Sequence, residues 1–230
     1  MSRAAIIAAA GIGRRMGGDR PKQYLELCGR PIICHTLDRF LDYGTLDFVV
    51  VVVEPGREDY FRQHILNAFG YPGEWQVTGG GQLRQQSVAN GLRLVPKDCD
   101  VVVVHDGVRP FITAKDIERT ADLAAREGAA VLAAKVRETV KRVGENGQVM
   151  ETVDRERLWS VQTPQAFKRD LLAQAMESAI SDGFVGTDEA SIVERIGGKV
   201  WVIEGDARNI KITTPEELAI AEAILKGRDW

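Results

Sequence analysis

Three cysteines in 230 residues, Cys28, Cys34 and Cys99, are too few for a disulfide framework, and none stands in a Cys-x-x-Cys pair of the kind that holds zinc. Reduced thiols, buried or incidental, are expected. Long apolar runs are missing too. The longest strongly apolar stretch, residues 48–53, is strand-sized and far short of the roughly 20 residues a membrane-spanning helix needs. The N-terminus lacks the basic segment and extended apolar run of an export signal. Neither sign of charge is in large excess, with 30 Lys and Arg against 33 Asp and Glu. A nucleic-acid or membrane partner is therefore not indicated, and the basic residues must act locally. No repeat, low-complexity tract or Pro/Gly/Ser linker divides the chain. These absences point to a cytoplasmic protein of one α/β domain, large enough to bury roughly 70–75% of its unfolded surface.

What is present is an alternation. Residues 4–10, small and apolar, read as a buried strand, and "DFVVVVVE", "EWQVTGG", "DVVVVHD", "AAVLAAKV" and "KVWVIEG" follow at intervals filled by helical patterns. Such alternation builds βαβ units into a mainly parallel sheet covered on both faces. Ligands of these sheets sit at the C-terminal ends of the strands. Three polar clusters, residues 11–22, 79–87 and 105–109, fall there and can face one crevice.

The first cluster, "GIGRRMGGDRPK", is not a P-loop, and Met16 stands where a dinucleotide fingerprint needs its third glycine. Arg14, Arg15 and Lys22 can nevertheless surround a triphosphate while Gly11 and Gly13 let backbone amides approach it. The alternative is a loop of solvated charges. Asp106 ends a strand where a carboxylate would meet nucleotide phosphates and magnesium, or it pairs with Arg109. His105 is read as structural, because a phosphate nucleophile is already ionised at neutral pH and needs no base. His35 and His64 have no ligand spacing. Residues 136–153 hold two short β-like runs around Asn146-Gly147, a hairpin signal. A two-stranded ribbon is marginal alone, so it packs on a second subunit or folds back on its own domain. Thr214, Pro215 and Glu217 mark the start of a last helix just after Lys211.

Seven blocks, "AAAGIGRRMGGDRPKQYL", "GGGQLRQQSVANGL", "HDGVRPF", "ETVKRV", "VDRERLWSVQTPQAF", "GTDEAS" and "NIKITTPEEL", resemble in order the 2-C-methyl-D-erythritol 4-phosphate cytidylyltransferases of the non-mevalonate isoprenoid pathway. The resemblance implies one Rossmann-like three-layer α/β nucleotidyltransferase domain over residues 1–230, with a mainly parallel sheet and a protruding β-hairpin dimerisation arm at 136–153. By the same resemblance, Ala9, Ala10 and Gly11 line the nucleotide, Gly80, Gly81, Gln82 and Ser87 close around cytosine and ribose, and Asp106 and Gly107 lie beside them. Arg15, Lys22 and Lys211 would be catalytic, with magnesium near Asp106. Arg109, Thr139, Arg155, Thr163 and Thr187 would hold the phosphorylated polyol, Thr139 and Arg155 reaching the neighbouring subunit of a homodimer. Read without the resemblance, Ser87 and Thr187 can be helix N-caps, and Thr163 can simply precede a turn at Pro164.

The implied reaction joins CTP and 2-C-methyl-D-erythritol 4-phosphate with release of pyrophosphate. A ribitol 5-phosphate cytidylyltransferase and a non-catalytic nucleotide-binding regulator remain as alternatives. The sequence departs from the family pattern at Gln82, where some members carry an acidic residue, at Gly107 and Val108 in place of a common Ala-Ala, and at Lys135, where proline is frequent.

Overall fold

The computed structural model describes residues 1–11 and 21–227. Gly13, Arg14, Arg15 and Met16 lie outside the described residues. The chain begins with β1 (Arg3–Ala9), a 3-10 turn at Lys22–Tyr24, the short β2 (Glu26–Leu27) and β3 (Arg30–Pro31), and α1 (Ile32–Tyr43). It continues through β4 (Phe48–Val53), α2 (Glu58–Phe61) with a π-helical turn behind it, β5 (Gln76–Gly79), α3 (Arg84–Leu94) and β6 (Val101–Asp106). The second half comprises α4 (Ala114–Glu127), β7 (Ala129–Lys135), β8 (Val140–Val143), β9 (Val149–Val153), β10 (Trp159–Lys168), α5 (Arg169–Ser181), α6 (Glu189–Arg195), β11 (Trp201–Glu204) and α7 (Pro215–Lys226). No helix among the described residues is long and apolar enough to cross a membrane.

Seven strands form one sheet in the order β11-β7-β10-β6-β1-β4-β5. Because side chains alternate across a strand, one face carries Ala5, Ile7, Val51 and Val103, packed on Leu37 and Phe40 of α1 and Ile117 and Ala121 of α4. The other carries Ala4, Ile6, Val52 and Val104, packed on Val88 and Leu92 of α3, Leu172 and Met176 of α5, and Val193 of α6. The result is the expected three layers. A smaller cluster of Leu27, Ile32, Val108, Phe111 and Ile212 lies beside α7.

β10 is the departure from parallel order, running antiparallel to both β6 and β7. The sheet is therefore mixed, mostly parallel, and its longest strand is one the sequence pattern did not announce. Between β1 and β6 the chain order reverses direction across the sheet, and these two strands are parallel and aligned, with Ala8 opposite Asp106. A crevice beyond the carboxyl ends of such a pair is the expected ligand site.

The hairpin forms as its own two-stranded sheet, β8 against β9. Gly147 N–H donates to the Gly144 carbonyl at 2.9 Å, and Gly144 N–H donates to Gln148 at 2.9 Å. Gly147 adopts φ 82°. This is a three-residue loop, a turn followed by a left-handed glycine, rather than the two-residue connection that Asn-Gly most often makes. Val143, Val149 and Met150 on this arm are more than half exposed.

Candidate active site

The crevice is a cavity of about 820 Å³ lined by Ala9, Ala10, Gly11, Lys22, Gly81, Gln82, Ser87, Asp106 and Lys211 among others. Each of these comes from a strand end or from the segment after one, so all three polar clusters contribute. Lys22 is held there by its neighbours: the buried Gln23 side chain donates to the Ala9 carbonyl at 2.7 Å, and Tyr24 is buried in the core. Lys211 is placed the same way. Ile212 is buried and its N–H donates to the Val108 carbonyl at 2.9 Å, while Thr214 and Glu217 form the capping box that starts α7. Two lysines from opposite ends of the chain thus meet at one cavity.

Asp106 is the hub. Its Oδ2 takes the Lys211 ammonium at 2.9 Å and the Arg109 Nε at 3.4 Å, and its Oδ1 takes the Arg84 Nε at 3.3 Å. Burial alone would raise this carboxyl, but Arg84, Lys211 and Arg109 together outweigh it and hold Asp106 well below the usual carboxylate range. The Asp106–Arg109 pair weighed from sequence exists, within a larger network. Among the described residues, no group of three or more His, Cys, Asp and Glu gathers to hold a metal.

Several of the residues assigned by resemblance stand behind the cavity wall. A Cβ on Gly80 would lie 2.4 Å from the Ala10 Cβ, and one on Gly107 would lie 2.7 Å from the Ile33 Cδ1, so both glycines permit close packing next to the wall. Arg109 donates from Nη1 to the Asn209 carbonyl at 2.8 Å and is largely buried. Thr163 lies within β10, its Oγ1 accepting from the Asp106 N–H at 3.0 Å, rather than ahead of a turn. Ser87 sits one turn inside α3, accepting from Gly81 N–H at 3.1 Å and donating to the Leu83 carbonyl at 3.1 Å. It is not the N-cap. Nor is Thr187: Asp188 caps α6, and Thr187 is exposed just before it. Thr139 and Arg155 lie at the base of the arm, exposed and away from this cavity, with Arg155 donating to the Arg137 carbonyl. Arg15 lies outside the described residues.

Arg84 and Glu189 escaped the sequence reading. Both look like ordinary charged residues in a helical first turn. Only the fold shows that Glu189 is 1% exposed and holds Arg84 from within.

His105 is fully buried, with Nε2 donating to the Arg109 carbonyl at 3.1 Å and Nδ1 left without a partner. Burial is the main reason its pKa falls from 6.5 to about 4. The unfolded chain binds this proton near pH 6.5 and the folded chain only near 4. Stability from the neutral ring is therefore complete above pH 6.5 and is lost as pH falls toward 4. Between about pH 7 and pH 5 the loss should reach about 2 kcal/mol. His105→Gln keeps a donor for Arg109, and urea unfolding at the two pH values should show the wild type losing more than the variant. Equal losses would assign the acid sensitivity elsewhere.

The model of the family described as 2-C-methyl-D-erythritol 4-phosphate cytidylyltransferase matches residues 3–227. A relative of that name from Pelotomaculum thermopropionicum is 45% identical over 225 residues, covering 98% of this chain and 94% of its own. Another from Syntrophus aciditrophicus is 44% identical, with 98% and 96% covered. The solved 4-diphosphocytidyl-2C-methyl-D-erythritol synthase of Anaerococcus prevotii superimposes with a TM-score of 0.87 at 32% identity, covering 98% of this chain and 96% of that one. The match runs through every strand of the sheet and every described wall of the cavity, and the chain belongs to the 2-C-methyl-D-erythritol 4-phosphate cytidylyltransferase family.

Proposed function

We propose that the chain transfers the cytidylyl group of CTP to 2-C-methyl-D-erythritol 4-phosphate. The observation that carries this reading is the meeting of Lys22, Lys211 and Asp106 at one cavity beyond the β1 and β6 strand ends. An acceptor phosphate oxygen attacks the α-phosphorus in line. The new P–O bond forms as the bond to the β-phosphate bridging oxygen breaks, and pyrophosphate leaves with the electron pair. The acceptor oxygen is already ionised, so no base is needed and the neutral, buried His105 takes no part. Catalysis is then positioning and charge: Lys22 and Lys211 face the charge that builds on the phosphate oxygens, and Asp106 fixes where the Lys211 ammonium points. Arg15 is assigned to the same task from the sequence alone.

A magnesium ion would accompany the triphosphate. The Asp106 oxygens already face three cations, so the ion's oxygens would come from phosphate and water, with Asp106 outside the direct ligand set. When bound, the ion neutralises phosphate charge. The arm supports a homodimer: its apolar side chains are exposed, and Thr139 and Arg155 at its base do not reach their own chain's cavity. A second copy receiving the arm would gain both residues. The cytoplasm is the compartment assigned in this reading, and three unpaired cysteines suit it.

Pyrophosphate release, measured with CTP and UTP against a panel of phosphorylated polyols, tests the proposal. Turnover is expected with CTP and the methylerythritol phosphate. Turnover with ribitol 5-phosphate alone would move the chain to that cytidylyltransferase, and nucleotide binding without release from any acceptor would make it a regulator.

A further inference from the structure

Glu189 is a carboxylate that no substrate can reach, at 1% exposed, yet both its oxygens lie on the Arg84 Nη1, at 2.6 and 2.5 Å. Arg84 uses its Nε, 3.3 Å away, on Asp106. One guanidinium is thus divided between two carboxylates, of which only Asp106 borders the cavity. The segment that carries Glu189 is tied down on two sides. Gln85, next to Arg84 on α3, accepts from Gly186 N–H at 3.0 Å and donates to the Phe184 carbonyl at 3.1 Å. Gln165 of β10 donates to Asp188 at 2.8 Å and accepts from Ala190 N–H at 3.1 Å. These four bonds fix Glu189 behind Arg84, so the restraint on the guanidinium is built into the packing of α3, α6 and β10.

The geometry points to Glu189 as a positioning residue for the transfer: it holds Arg84 back so that Asp106 keeps an oxygen for Lys211. This inference rests on the reaction proposed above. A guanidinium released from Glu189 is free to swing onto Asp106 and take both oxygens in the bidentate arrangement that arginine and carboxylate favour. Lys211, now 2.9 Å from Oδ2, would lose its anchor. Displacing a transition-state contact by about 1 Å can cost 10²-fold in rate. Arg84 lines the cavity beside Gly81 and Ser87, but the anchor lost is that of the Lys211 ammonium, so kcat should fall further than the KM for CTP rises.

The test uses the full chain, with the wild type assayed first for pyrophosphate release. A wild type without turnover would overturn the assigned reaction and this inference with it. Given turnover, Glu189→Gln should lower kcat by about 10- to 100-fold while the KM for CTP shifts less than about threefold. The double variant Arg84→Met, Glu189→Met removes the competing guanidinium together with its restraint. It should recover at least about fivefold of the kcat lost in Glu189→Gln. A folded Glu189→Gln with kcat within about threefold of wild type overturns the inference, as does a double variant no faster than the single one. Removing one partner of a buried ion pair can unfold a protein, whereas replacing both with apolar residues is often tolerated. Should Glu189→Gln fail to fold, the double variant decides: kcat within about tenfold of wild type supports the restraint, and a larger loss overturns it.

Discussion

Replacing Lys22 with alanine is expected to lower kcat by about 100-fold or more while leaving the fold intact. A charge aimed at a developing oxyanion in a preorganised site contributes roughly 2.7 to 4 kcal/mol to the barrier, and Lys22 borders the cavity at the point where the chain is pinned to the end of β1. The fold should survive because the burial in that turn belongs to Gln23 and Tyr24, not to the lysine. Steady-state kinetics with CTP and a melting curve on the same preparation separate the two effects. A kcat within about threefold of wild type would remove Lys22 from the transition state, whatever became of the KM.

Mixing two dead enzymes should make a live one. If each site draws Lys22 from one chain and Arg155 from the arm of the other, Lys22→Ala and Arg155→Ala should each be nearly inactive. Unfolded together and refolded, they pair at random and half the dimers are mixed. Twofold symmetry gives every mixed dimer one doubly damaged site and one intact site, so the mixture should recover about a quarter of wild-type activity. If both residues served the same site from a single chain, every site would carry one lesion and nothing would be regained. Native electrophoresis that shows mixed dimers without activity would return the arm to its own domain.

The layers of the fold were legible because parallel strands buried on both faces spell themselves out as runs of valine and alanine. β10 was not. Its sequence, "WSVQTPQAFK", places two glutamines, a threonine and a proline in mid-strand, where a central strand is expected to be apolar and free of proline. The structure accommodates them with an irregularity in register between Val161 and Gln165 and by giving the polar side chains fixed partners, such as Gln165 on Asp188 and Thr163 on Asp106. The cavity residues near the glycine turn were legible through the resemblance and their strand-end positions, and Lys211 through the resemblance and the capped helix that follows it. Arg84 and Glu189 could not be, because charge on a helix reads as a solvated face until the tertiary packing closes over it. At Thr187 only the alternative reading, an N-cap, is set aside: Asp188 has the side chain that meets the free amides of α6.

The arm leaves the body from two strands that are themselves partners. β7 and β10 pair directly, Lys135 lies opposite Trp159, and Val136 N–H donates to the Leu158 carbonyl at 3.1 Å where the arm departs. Everything between is an excursion from the middle of a hairpin whose two sides already meet. Length can therefore be added or removed there in matched pairs without moving any strand of the seven-stranded sheet. Each added pair would extend the reach by about 3.4 Å. How far the hairpin extends is thus a dimension that the seven-stranded sheet does not dictate.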